Sequence, residues 1–221
     1  ALTLFDLKKN CIYFSRDRVG EKPLYISFNE SSILFGSELI SLTQFSSFNK
    51  DLSMSALSSF FKFNYIPTPQ TIYKSTFKCP PGKFICIDLN SFLFNKTYEC
   101  FDDIFLDQGA LIDDYWSSFP LLNQSELLVE DFNQASLRLE DIISKSVKDQ
   151  LISDMPIGAF LSGGIDSSLI TALMQKENMD KVKTFTIGFE DKRYDESSYA
   201  REVANHLGTN HTELILSQDD V

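Results

Sequence analysis

The run Ile157-Gly158-Ala159-Phe160-Leu161 is short and apolar, it opens into Ser162-Gly163-Gly164, and from Ile165 onward Leu169, Ile170, Leu173 and Met174 recur at helical spacing. Such a pattern predicts a buried strand that passes through a glycine turn into an amphipathic helix. It constrains the fold strongly, because it sets a helix N-terminus at the carboxyl end of a strand, where alternating α/β sheets bind their ligands. It also constrains the chemistry. Glycines let backbone N–H groups approach an anion, the hydroxyls of Ser162, Ser167 and Ser168 add donors, and the helix start carries partial positive charge. Asp166 inside this cradle would be repelled by phosphates unless a hard cation such as Mg²⁺ bridges them.

Commoner motifs are excluded by inspection. Gly158 to Gly163 has the spacing of the first half of a Walker A loop, but Gly164-Ile165 stands where Lys-Ser/Thr is required. A nucleophile elbow needs Gly two residues before the serine, and Phe160 occupies that place, so Ser162 is a poor catalytic nucleophile.

The surroundings extend the alternation. Ala135, Leu139, Ile142, Ile143, Val147 and Leu151 predict a long covering helix before the strand. Val182 to Phe189 reads as a second strand, Tyr199, Val203 and Leu207 as a helix ended by Gly208, and His211 to Leu216 as a third strand. Strands alternating with helices predict a parallel sheet with crossovers on both faces, a partial doubly wound α/β fold. The loop and the residues after Ile187 are expected to converge at its carboxyl edge. Asp195 and Glu196 open a helix with acidic residues, which favours capping. His206 and His211 have no third metal ligand at suitable spacing.

The first hundred residues read differently. Apolar runs at Ala1 to Phe5, Cys11 to Phe14, Leu24 to Phe28, Ile33 to Phe35 and Phe84 to Leu89 alternate with polar turns, predicting a sheet-rich α+β unit. One helix intervenes, with Met54, Leu57, Phe60 and Phe61 behind a cap at Ser53. Residues 101–131 lose periodicity and gather Asp102, Asp103, Asp107, Asp113, Asp114, Glu126 and Glu130, which predicts a connection between domains. Tyr115-Trp116 within it reads as an aromatic plug on a domain surface.

With 20 basic against 31 acidic residues the net charge is −11, which argues against nucleic acid and anionic membrane surfaces as partners. No apolar run of about 18 residues and no signal pattern is present, and a cytoplasmic location is the expectation. Cys11, Cys79, Cys86 and Cys100 lack metal or redox spacing.

Ser162-Gly163-Gly164-Ile165-Asp166-Ser167-Ser168 resembles the pyrophosphatase loop of the ATP pyrophosphatase superfamily, and Asp154-Met155-Pro156-Ile157-Gly158 resembles the lead-in found in glutamine-hydrolysing asparagine synthetases. Arg16-Asp17-Arg18-Val19-Gly20-Glu21-Lys22-Pro23-Leu24-Tyr25, Gly36-Ser37-Glu38, Ile66-Pro67-Thr68-Pro69-Gln70-Thr71-Ile72, Pro80-Pro81-Gly82, Tyr115-Trp116, Tyr194-Asp195-Glu196 and His206-Leu207-Gly208-Thr209 are similar to further segments of that family, in its order. The resemblance implies a class II glutaminase-like part at 1–100, a linker at 101–131 and an ATP pyrophosphatase-type synthetase part at 132–221. It implies adenylation of aspartate by ATP with Mg²⁺, loss of pyrophosphate and amidation by ammonia from glutamine, with a homodimer as the expected assembly of the full-length protein. Leu161, Ser162, Gly163, Gly164, Asp166, Ser167, Ser168 and Ile187 correspond to positions that contact ATP or pyrophosphate, with Asp166 beside the metal. The family's glutaminase nucleophile is an amino-terminal cysteine acting with its own amine. Ala1 stands first here and Cys11 is internal, so no glutaminase residue is assigned, and the chain is expected to be an internal fragment, incomplete by itself. Other readings stay open: an amidotransferase or β-lactam synthetase-like relative acting on another carboxylate, or a noncatalytic nucleotide-binding remnant. The charged residues of Arg16 to Tyr25 and of Gly36 to Leu39 read either as a buried ion pair tying strands together or as substrate contacts.

Overall fold

A computed structural model describes residues 1–94, 96–117 and 131–220. The chain divides into two compact units, Ala1–Glu126 and Leu127–Val221, each described by itself.

The first unit contains β1 (Leu2–Asp6), β2 (Cys11–Ser15), β3 (Tyr25–Phe28), β4 (Ile33–Gly36), β5 (Thr76–Lys78), β6 (Lys83–Asp88) and β7 (Ala110–Asp114), with α1 (Leu39–Leu42) and α2 (Met54–Phe63). Two antiparallel sheets form, in the orders β1-β2-β6-β7 and β4-β3-β5. Phe14 from β2 and Ile85 and Ile87 from β6 enter the same core as Ile26, Phe28 and Phe77 from the other sheet. Alternation explains this: Tyr13 and Phe84, each one residue away, stack on the opposite face with ring centroids 5.5 Å apart. Ser53 caps α2 as the sequence predicts, its hydroxyl accepting from the Ala56 N–H at 3.4 Å.

Two strands depart from the sequence reading, and the single-turn α1 is a second helix where only one is expected. β5 is only three residues long, too short for alternation to reveal, and β7 falls inside the predicted connection, where acidic ends hide an apolar centre. Ile112 of β7 packs on the core, and the short helical turn Asp102–Leu106 buries Ile104 completely. Tyr115 and Trp116 dock on the turn before β6, both N–H groups donating to the Gly82 carbonyl and the Tyr115 hydroxyl to the Arg16 carbonyl at 2.6 Å. Glu126 and Glu130, also read as connection, lie outside the described residues.

Arg16 and Asp17 form no ion pair with one another. The Arg16 guanidinium donates to the carbonyls of Gly20, Lys22 and Cys79, while the Asp17 carboxylate accepts from the N–H groups of Glu21 and Lys22. Both charges therefore close a turn by satisfying backbone groups. Those N–H donors, Lys22 foremost, hold the Asp17 carboxyl down at about 2. Burial pushes the Cys79 thiol up to about 11, and all four cysteines are free.

The second unit contains α3 (Phe132–Gln150), β8 (Gly158–Phe160), α4 (Ile165–Glu177), β9 (Lys183–Phe189), α5 (Ser197–Leu207) and β10 (Asn210–Leu216). Its three strands are parallel and lie in chain order. Both crossovers step the same way, and right-handed crossovers of that kind put their helices on one face; α4 and α5 touch each other. The described strands thus form a mixed α/β unit of three parallel strands joined by helices. β9 records the asymmetry: Thr184 and Thr186 are buried, while Phe185, Ile187 and Phe189 are 39%, 49% and 38% exposed. The predicted covering helix α3 uses only its later turns, where Ile143 and Val147 pack with Leu173, Met174 and Val182; Leu139 and Ile142 stay exposed. No helix among the described residues is long and apolar enough to cross a membrane.

Candidate anion-binding site

β8 ends at Phe160, and the chain turns at Leu161 to Gly164 into α4. Leu161 is 1% exposed and packs against Ala200 and Ala204 of α5. Its N–H donates to the Phe185 carbonyl at 2.9 Å, and its own carbonyl accepts from the Thr186 hydroxyl. This residue anchors the loop to the end of β9 and presents no side chain to a ligand.

The turn itself needs glycine. Gly163 has φ +81°, and a Cβ there would sit 2.6 Å from the Tyr199 Cβ and 2.8 Å from the Ala200 nitrogen. Both the left-handed backbone and the close approach to α5 exclude larger residues. The hydroxyls of Ser162 and Ser167 lie 3.0 Å apart; the Ser167 Oγ also accepts from the Ser162 N–H, and the Gly164 N–H donates to the Ser162 Oγ. These bonds hold the loop around two exposed or half-exposed hydroxyls.

At α4 the N-cap is Gly164, which offers no side-chain cap. The first bond within the helix is Ser168 N–H to the Gly164 carbonyl at 3.0 Å. The N–H groups of Ile165, Asp166 and Ser167 therefore have no acceptor among the described residues, which is the condition for binding an anion there. Asp166 is exposed in this first turn and takes no hydrogen bond from the described residues. No group of three or more His, Cys, Asp or Glu side chains able to hold a metal gathers among the described residues. The Ser168 Oγ is enclosed without a partner, unlike the hydroxyls of Ser162 and Ser167.

Asp166 and Ser167 also border a groove of about 520 Å³ between α3, β8 and α4, lined by Val147, Phe160, Ile170 and Met174. Ile187 stands two residues beyond Phe185, half exposed on the face opposite Thr186 and Gly188. His211 is a packing residue: its Nδ1 bonds the Thr184 hydroxyl at 2.9 Å, and Thr184 in turn meets the Thr209 hydroxyl.

Sequence reading gave Asp195 a capping role at the start of α5 but missed its tie to β9. The Asp195 carboxylate accepts from the Phe189 N–H at 3.3 Å, the Ser197 N–H at 3.1 Å and the Ser197 hydroxyl at 3.0 Å. The Asp-x-Ser spacing at a helix start was the available signal.

Comparison with known families divides the chain as its fold does. Residues 1–99 match the family described as a glutamine amidotransferase domain, and residues 138–221 match asparagine synthase. Together they define an amidotransferase-type arrangement, an antiparallel unit followed by a parallel one that carries the glycine loop. A Methanocaldococcus jannaschii protein provisionally named asparagine synthetase (glutamine-hydrolysing) 2 is 32% identical over 226 residues, covering 100% of this chain and 39% of that relative. Asparagine synthetase (glutamine-hydrolysing) 1 of Bacillus subtilis is 29% identical over 100% of this chain and 31% of its own length. Asparagine synthetase B (glutamine-hydrolysing) of Escherichia coli is 28% identical over 97% of this chain and 32% of its own length. The chain is thus similar along its whole length to glutamine-hydrolysing asparagine synthetases. It spans about a third of the length of these relatives.

Proposed function

We propose that this chain is part of an ATP-dependent ligase that makes asparagine, its loop Ser162 to Ser168 holding the pyrophosphate end of ATP. The observation that carries the proposal is the set of unpaired N–H groups at Ile165, Asp166 and Ser167, set beside the hydroxyls of Ser162 and Ser167. As the bond between the α- and β-phosphates breaks, negative charge grows on the leaving pyrophosphate. Donors already fixed in place stabilise that charge without reorganising. The aspartate carboxylate takes the adenylyl group, and ammonia derived from glutamine then displaces AMP to form the amide. The similarity to asparagine synthetases favours this reading over a β-lactam-forming or sugar-amidating enzyme.

Each residue of the loop has a stated part. Gly163 and Gly164 bring the backbone close, Ser162 and Ser167 donate hydroxyls, and the enclosed Ser168 hydroxyl awaits a partner that the described residues do not provide. Leu161 locks the loop to β9, and Ile187 offers an apolar surface to the adenine. Mg²⁺ fits the donor set in part: it would be held by Asp166 together with phosphate oxygens, and would neutralise charge on the departing group.

In the same proposal residues 1–100 are the later part of a glutaminase-like domain, 101–131 the connection, with 102–114 folded back on the first unit, and 132–221 the first part of a synthetase domain whose sheet is doubly wound. The substrates are aspartate, glutamine and ATP, and the assembled enzyme is a homodimer of the cytoplasm.

The test is aspartate-dependent exchange of labelled pyrophosphate into ATP by the protein that contains this chain. Exchange with aspartate, and not with other carboxylates, is expected. Exchange driven by a different carboxylate would overturn the substrate assignment, and none with any carboxylate would overturn the adenylation chemistry.

A further inference from the structure

The loop that carries the candidate site does not support itself. Gly163 rests against the first turn of α5, at Tyr199 and Ala200, closely enough that no Cβ fits between them. Leu161 is buried against the same helix. Where α5 begins therefore decides where the loop's backbone lies. That helix has Glu196 as its N-cap, which makes no side-chain cap bond, so its orphan N–H groups need another acceptor.

Asp195 supplies it. One carboxylate oxygen takes both the Ser197 N–H and the Phe189 N–H, and the other takes the Ser197 hydroxyl. Phe189 is the last residue of β9 and Ser197 the first of α5. A single side chain thus ties the end of the strand to the start of the helix that buttresses Gly163. Gly188 makes room for it: a Cβ there would lie 2.7 Å from the Asp195 Oδ1 and 2.6 Å from the Ile215 Cδ1. Donation by the Ser197 N–H and hydroxyl holds the Asp195 carboxyl below the usual carboxylate range, so it is ionised and a strong acceptor at neutral pH.

We propose that Asp195 is a positioning residue for the anion loop, acting through α5 on Gly163 and so on the N–H groups at the start of α4. The inference rests on the reading of that loop as a pyrophosphate site. Asp195 touches neither the loop nor its ligand. Its carboxylate sets the register between β9 and α5, and α5 in turn sets the height of the Gly163 backbone. Loss of the clamp lets the first turn of α5 fray, and the loop then loses the wall behind it.

The test combines amide hydrogen exchange with calorimetric titration of inorganic pyrophosphate, on the 221-residue chain and its variants. In Asp195→Ala, exchange across residues 161–168 is expected to rise about fivefold while 140–150 in α3 is unchanged, and pyrophosphate affinity is expected to fall about fivefold, the scale of a lost helix cap. Asp195→Asn keeps two acceptor bonds and is expected to restore both readouts to within about twofold. A folded Asp195→Ala chain with unchanged exchange across 161–168 overturns the inference. If the unmodified chain binds no pyrophosphate, the anion-site reading fails by itself and the exchange comparison still decides the clamp. Should Asp195→Ala not fold, Ser197→Ala removes one of the three bonds and is expected to raise exchange across 161–168 about twofold; no rise overturns the clamp.

Discussion

The two units bury their sheets in opposite ways. In the first, two antiparallel sheets contribute to one core, and Phe14, Ile26, Ile85 and Ile87 are at most 1% exposed. In the second, three parallel strands have Thr184 and Thr186 buried on one face while Phe160, Phe185, Ile187 and Phe189 remain partly or largely exposed on the other. Antiparallel sheets tolerate one solvated face, whereas parallel strands are ordinarily apolar on both because both faces are covered. The first unit places its stability in the core. The second leaves backbone groups unpaired in a loop at the carboxyl end of β8.

This difference predicts a ranking of mutational effects. Phe14→Ala, at a fully buried site, is expected to cost about 3–5 kcal/mol in urea unfolding, against less than about 1 kcal/mol for Ile187→Ala, which is half exposed. Equal costs would break the comparison. Gly163→Ala is expected to cost about 1–3 kcal/mol, from the positive φ and the contact with Tyr199, and to weaken pyrophosphate binding at least about tenfold. Substitution with no change in affinity would remove the loop from the site. Ser53→Ala in the first unit should cost about 1 kcal/mol and leave pyrophosphate binding untouched, since only a helix cap is lost.

The smallest effect is one of pH. Asp17 has its folded pKa depressed to about 2 by backbone N–H donors. A carboxyl held low in the folded state contributes stability above its unfolded value of about 3.8, and that contribution disappears as pH falls from about 4 to about 2. Asp17→Asn should therefore flatten part of the acid limb of the first unit's unfolding, followed by fluorescence of Trp116. An acid limb identical in the variant would show that Asp17 does not set it.

Legibility follows the same division. β1, β2, β4 and β6 could be read from apolar alternation to within a residue, and α2 from its cap, because both signals are local. β5 and β7 could not, since three residues hold no period and Asp113-Asp114 mask Leu111-Ile112. In the second unit the strand, turn and helix around Ser162 were legible because glycine and apolar spacing mark them. The winding of the whole sheet was not legible, because strand order depends on tertiary contacts that no single segment encodes. The roles of Arg16 and Asp17 were left open between an ion pair and substrate contact for a related reason: sequence shows charges, whereas the fold offers each of them nearby backbone groups. The clamp made by Asp195 depends on Phe189 meeting Ser197, a contact set by the turn between strand and helix.

The central claim is that the start of α4 is an anion site made by unpaired backbone donors. Titrating inorganic pyrophosphate into the isotopically labelled chain and following the amide resonances tests it most directly. The amides of Gly163 to Ser167 are expected to shift saturably and together, while those around Ser53 and Asp17 stay in place. Saturable shifts confined to residues elsewhere, or none across 163–167, would contradict it.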